Sequence, residues 1–284
     1  MKLNILHAQQ GYQWLHQAKN ITLANRGLFI GNFFLYLAAS FLALLFAQTA
    51  TSILIIVIGI LGVIFNMIVM IICDRTLNPT KYEHHTTLTQ LWINTLKNKR
   101  ILIIALITTI ALTILILVLN LIAALLFPQI IQEGKQLLAT LQESQQTSIN
   151  LREFTKLTPY YALLQVCGIL AKSIILVFFC MTPAIIYWTD VPYSRAIFYN
   201  LMGCLTNWRA WLTWAGALLF FFVVIPIISA TILINIAQSG SFLSIIALFL
   251  IFILFIVFAF LSMIMIPASY YLAYNDCFIQ EKQP

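Results

Sequence analysis

The chain has 284 residues, of which 62% are hydrophobic and only 8% charged, where a soluble domain carries roughly 45–50% and about 25%. Fifteen Lys and Arg with eight Asp and Glu are too few to cover a water-facing surface of this size, so a soluble enzyme is excluded and lipid is the expected solvent. The net charge of +7 raises nucleic acid as a partner, but a nucleic-acid binder gathers its cations on one face, not between long apolar runs.

Residues 1–26 are polar and amphipathic. They lack the short apolar run and small-residue cleavage site of a signal peptide, so the first span is expected to be retained. A helix crossing a bilayer core of about 30 Å needs about 20 apolar residues, because its backbone groups must pair within the segment. Six stretches qualify: 27–48, 51–73, 101–127, 160–188, 211–237 and 242–267. Sorting the basic residues by side places Lys2, Lys19, Arg26, Arg75, Lys81, Lys97, Lys99, Arg100, Arg195, Arg209 and Lys282 together, against Lys135, Arg152 and Lys156. That excess puts both termini in the cytoplasm. Cys73, Cys180, Cys204 and Cys277 then fall on or near the reducing side, with Cys167 inside a span, and no structural disulfide is expected.

Three amphipathic stretches each end in a small polar and basic cluster and run directly into a span. The clusters are Asn25-Arg26, Asn98-Lys99-Arg100 and Asn207-Trp208-Arg209. In the third stretch Ile197, Leu201, Leu205 and Trp208 recur at helical spacing, with Arg195, Asn200, Thr206 and Asn207 elsewhere on the wheel. Such helices lie in the headgroup plane, so Arg26, Arg100, Arg195, Arg209 and Trp208 are expected to contact anionic headgroups. The second span of each pair ends in a polar residue and an aspartate, Asp74, Asp190 or Asp276. Asp190 precedes Val191-Pro192, as a helix cap would, and all three aspartates are read as structural caps. The fold expected is an all-α integral membrane protein with six transmembrane helices in three hairpins, each preceded by a cytoplasmic interfacial helix. The repeat units are about 11–74, 87–190 and 194–276. Residues 128–159 form a polar insertion with a helical stripe, Ile130, Ile131, Leu137, Leu138 and Leu141, and a capping box from Asn150 to Glu153. A periplasmic helical hairpin is expected there, as a surface for a protein partner or a cover for its own spans.

These residues also carry a resemblance. The start QGYQWLHQA, the segment MTPAIIYWTDVPYSRAIFYNLMGCLTNWRAWL and the end IPASYYLAYNDCF resemble an uncharacterised bacterial inner-membrane family named after a Burkholderia locus tag. Pro183, Ala184, Asp190, Val191, Ala196, Cys204, Asn207 and Trp208 match its core pattern. The sequence has Trp188-Thr189 where that pattern carries a His, so no role of that His transfers. The resemblance implies six helices and an inner-membrane location, and no reaction. A second, architectural likeness is to the membrane domain attached to some glycerophosphodiester phosphodiesterases, whose catalytic motif is missing here.

Lys172 lies near the middle of the fourth span, where an ammonium costs at least about 2.5–3.5 kcal/mol. Gln165, Gly168 and Lys172 share one helix face, and Asn66 and Asn120 are its candidate neutral partners. These four, Lys172, Gln165, Asn66 and Asn120, form the candidate site for a lipid phosphate or acidic solute. Glu83-His84-His85 lacks further ligands at metal spacing and reads as a solvated loop. No zinc-protease, nucleophile-elbow or phosphate-loop motif occurs, so neither an enzyme nor a cofactor is expected. The function expected is a non-catalytic organising or regulatory membrane protein, with a carrier or channel for a lipid or amphipathic anion using Lys172 as the alternative.

Overall fold

The computed structural model describes residues 2–46, 51–81, 87–132, 167–168, 171, 174–225, 228–229 and 242–279. Nearly all of them are helical. The elements are α1 (Gln10–Ala24), α2 (Arg26–Phe46), α3 (Thr51–Leu77), α4 (Leu88–Lys97), α5 (Lys99–Leu126), α6 (Thr182–Trp188), α7 (Tyr193–Thr206), α8 (Trp208–Leu219) and α9 (Phe242–Cys277). A π-helical segment, Phe220–Val224, follows α8, and β1 (Lys2–Leu3) pairs antiparallel with β2 (Phe278–Ile279). Four helices are long and apolar enough to cross a membrane, at Arg26–Leu45, Ile56–Leu77, Lys99–Leu126 and Phe249–Cys277, and a shorter apolar helix runs over Ile174–Trp188.

The chain divides into two compact units, residues 1–106 with 179–284, and residues 107–178. In the first unit α3 is the central helix. Half of its apolar window is buried, against 11% for α2 beside it. Its inner stretch from Ile64 to Cys73 supplies much of the core, joined by Trp14, Phe29 and the Tyr271 and Tyr274 rings. The outward residues of α2 and α9 stay exposed, among them Phe34, Phe41, Phe249 and Phe252. Exposed apolar surface of this kind is the expected face toward lipid.

The amphipathic helices pack chiefly across units of the sequence pattern. Helix α1 lies chiefly against α8 and α9, α4 against α3 and α2, and α7 against α6. At the α1–α8 crossing Gly11 lets the backbones approach closely. Around it Trp14, Trp211, Trp214 and Tyr270 form an aromatic cluster, with Trp14 and Trp211 ring centroids 5.3 Å apart. Each amphipathic helix is broken from the next at its asparagine. Asn25 and Asn207 share nearly one backbone conformation, φ −117°, ψ 29° and φ −104°, ψ 28°. Asn98 is more extended, and its Oδ1 accepts the N–H groups of Arg100 and Ile101 at the start of α5.

Several expectations change here. The last span does not end at Pro267, because α9 runs through it to Cys277. Proline removes one helical N–H, but residues 267–274 are all buried, and that packing holds the helix together. The aspartates do not act as helix caps. Asp74 and Asp276 lie inside the last turns of α3 and α9, and α7 starts after Pro192 with no side-chain cap bond. Helix α7 docks through Ala196, Asn200, Gly203 and Cys204, while Leu205 and Trp208 are exposed. The small and amide residues therefore form its inner face, because they alone admit close backbone approach and satisfy buried polar groups. Asn200 Oδ1 accepts the Met181 N–H at 2.6 Å, at the break before α6.

In the second unit residues 107–126 continue α5, and residues 128–132 form a further helical turn. Leu117, Leu121, Leu125 and Leu126 are each more than 60% exposed. The remaining insertion, residues 133–159, lies outside the described residues.

Candidate functional site

The polar groups of the first unit converge where α3 and α9 end. Asp74 is 2% exposed, so its carboxylate needs partners to remain in the core. Its Oδ1 accepts from Tyr271 Oη at 2.6 Å and Asn78 Nδ2 at 2.7 Å, and its Oδ2 lies 3.3 Å from Lys81 Nζ. The short 3₁₀ turn Pro79–Lys81 carries that lysine back toward the helix it has just left. Asp276, at the end of α9, ties that helix to α1. Its Oδ2 accepts from Gln10 Nε2 at 2.6 Å and from Trp14 Nε1 at 2.8 Å. Asn207 fastens the N-terminal strand in the same way, accepting the Leu6 N–H at 2.8 Å and donating to the Asn4 carbonyl at 3.1 Å.

Between Asp74 and Asp276 lies a cavity of about 700 Å³. Trp188, Tyr271 and Tyr274 form its aromatic wall, with Trp188 centroids 5.2 Å from Tyr271 and 5.7 Å from Tyr274. Lys81 Nζ stands 6.0 Å over the Trp188 ring. A second cavity, of about 380 Å³, lies between α1, the π segment and α9. Its wall is mostly apolar, from Leu15, Phe221, Phe222, Phe258 and Met265, with His16 and Lys19 on the α1 side. π-Helical turns often mark functional places in helices.

Of the expected midspan site, Lys172 and Gln165 lie outside the described residues, as do His84 and His85 of the loop. Asn66 is half-buried in α3. Asn120, in the second unit, has a buried Oδ1 with no hydrogen-bond partner among the described residues. Arg26, Arg195, Arg209 and Trp208 are exposed as a headgroup contact requires, and Arg209 stacks 5.5 Å over the Trp208 ring. Arg100 differs. It is half-buried and bonds to the fully exposed Asp190, at Oδ1 3.2 Å away, and to the carbonyls of Thr189 and Val191. The guanidinium fork can meet several oxygens at once, and the bend before α7 presents them.

Sequence reading missed Lys81, Trp188, Tyr271, Tyr274 and Gln10 as site residues. One signal was present: Tyr271 and Tyr274 stand three apart in the C-terminal segment, which places them on one helix face. Among the described residues no three His, Cys, Asp or Glu side chains group as a metal site. The chain matches no protein-family model, no curated protein and no solved structure.

Proposed function

We propose that this is a non-catalytic, six-span membrane protein of three repeated units that organises or regulates partners in a bacterial inner membrane. The observation that carries this reading is the placement of the amphipathic helices. Each packs on helices of another unit of the sequence pattern, α4 on α2 and α3, α7 on α6, and α1 on α8 and α9. The matching backbones at Asn25 and Asn207 support it. Pairing of β1 with β2 brings the two ends of the chain together, which suits an even number of crossings. The basic excess on that side supports a cytoplasmic location for both ends. The likeness to the inner-membrane family named after a Burkholderia locus tag belongs to the same proposal. Its matching residues Ala196 and Cys204 lie in the buried docking face of α7, and Asn207 is buried at the end of that helix, a structural use that suits a protein without catalysis. Anionic headgroups meet Arg26, Arg195, Arg209 and Trp208, and residues 128–159 offer a surface to a periplasmic partner.

A second reading, a carrier or channel for a lipid or amphipathic anion, draws support from the apolar cavity beneath α1, where Lys19 stands ready for a phosphate. A photo-crosslinking residue placed in cells at Phe198, Leu205 or Ile93, all exposed, separates the two. The organiser reading expects a protein adduct of discrete mass from both α7 and α4, unchanged by Lys19→Glu. Lipid adducts alone, with copurifying anionic phospholipid lost in Lys19→Glu, would replace it with the carrier.

A further inference from the structure

We propose that the cavity between Asp74 and Asp276 binds an organic ammonium group, and that the Lys81 ammonium occupies this position as a tethered substitute. The inference is independent of whether the protein organises partners or carries lipid. Two carboxylates and one ammonium line the cavity, so its charged walls sum to about −1 with Lys81 present and to about −2 once that side chain swings away. The partly exposed Trp188 ring borders the same space, backed by the buried Tyr271 and Tyr274 rings. An aromatic face attracts a cation within about 6 Å of its centroid, most strongly where water is excluded. Tyr271 and Tyr274 are 2% and 1% exposed, so this wall is built into the core.

Lys81 already demonstrates both halves of the recognition. Its Nζ is 3.3 Å from Asp74 Oδ2 and 6.0 Å over Trp188. Yet its side chain is 50% exposed while that of Asp74 is 3% exposed, and a half-exposed ion pair of this kind contributes little stability. The cavity is also far larger than one ammonium. An amine bearing an organic body fills what Lys81 leaves, with Asn4, Gln10 and Asn78 on the rim for its polar groups. Trp188 Nε1, buried without a hydrogen-bond partner among the described residues, adds a donor. Both bonds to the Asp276 side chain fall on Oδ2, so Oδ1 remains the oxygen to meet the incoming cation. A hard divalent ion is served less well, since it needs six or more oxygens where this wall supplies ring faces.

The test uses the full-length protein in phosphatidylglycerol nanodiscs. Tetramethylammonium chloride and ethanolamine hydrochloride are titrated separately, with sodium chloride at equal ionic strength as control, reading tryptophan fluorescence and the thermal midpoint. Both readouts are expected to saturate with at least one of the two amines and not with sodium. Lys81→Gln removes the tethered competitor and is expected to tighten amine binding about tenfold, while Lys81→Arg keeps the competitor and stays near wild type. Adding phosphatidylethanolamine to the disc identifies the source: competition with ethanolamine assigns a lipid headgroup, and no competition assigns a soluble amine. Absence of a saturable response in both wild type and Lys81→Gln, each melting normally without amine, overturns the proposal. So does weaker amine binding in Lys81→Gln, which would make Lys81 a ligand-binding group in its own right.

Discussion

Gly11→Ala is expected to push α1 off α8 and to lower the thermal midpoint of the purified protein sharply. A Cβ built at Gly11 falls on the Ala210 carbonyl oxygen and comes within 2.7 Å of the Trp214 nitrogen. Both obstacles are backbone, and neither can yield by rotating a side chain. The cost is therefore at or above the upper end of the overpacking range, about 3 kcal/mol. Two other glycines calibrate the effect. At Gly203 the added Cβ meets the Met181 methyl at 3.0 Å and the Phe278 ring at 3.1 Å. The methionine tip can move, so Gly203→Ala is expected to cost about 1 kcal/mol. At Gly216 nothing lies within 4 Å, and Gly216→Ala should gain up to about 1 kcal/mol of helix propensity. Thermal unfolding in detergent, with protease cleavage of α1 as a second readout, checks the order. Equal midpoints for the Gly11 and Gly216 variants would show that α1 does not pack as described.

The second large effect is expected at Trp14, whose ring is fully buried among α1, α8 and α9. Trp14→Ala removes the ring and leaves a cavity, a loss of about 3–5 kcal/mol. Trp14→Phe keeps most of the ring and deletes the donor to Asp276 Oδ2, leaving Gln10 as the remaining partner of that oxygen. Asp276→Ala strands both donors. The double variant Trp14→Phe with Asp276→Ala should therefore be less destabilised than the sum of the singles, by about 1–3 kcal/mol. Additive behaviour in thermal unfolding would mean that the bond between the first helix and the last contributes nothing to the fold.

Much of this architecture was legible in the chain. The long apolar runs foretold α2, α3, α5 and α9, since a membrane leaves helices few alternatives. The Asn-basic clusters marked the breaks at Asn25, Asn98 and Asn207, where amphipathic helix gives way to apolar helix. What stayed hidden was which surfaces meet. Periodicity shows that residues share a face but not what covers it, and in spans such as α3 the inward and outward residues are equally apolar because lipid and protein interiors resemble one another. Hence nothing along the chain announced that Gly11 and Trp14 sit on the last unit of the pattern, or that Asp74 would face Tyr271 across almost two hundred residues. The convergence at the ends of α3 and α9 stayed hidden for a related reason: Lys81, Trp188 and Asp276 are unremarkable residues at segment ends whose meaning lies in their meeting, while Lys172 and Gln165 lie outside the described residues.

The proposed six crossings, with the aspartates and both chain ends on one side, can be tested directly in cells. Single cysteines at Thr49, Ser144 and Ser239, and at Thr80 and Ser194, are each exposed in turn to a membrane-impermeant maleimide. The five native cysteines are buried and should give little background. Labelling at Thr49, Ser144 and Ser239 in intact cells, with Thr80 and Ser194 labelled only after lysis, is the result expected of three hairpins. Labelling of Ser144 and Thr80 from the same side would rule that arrangement out.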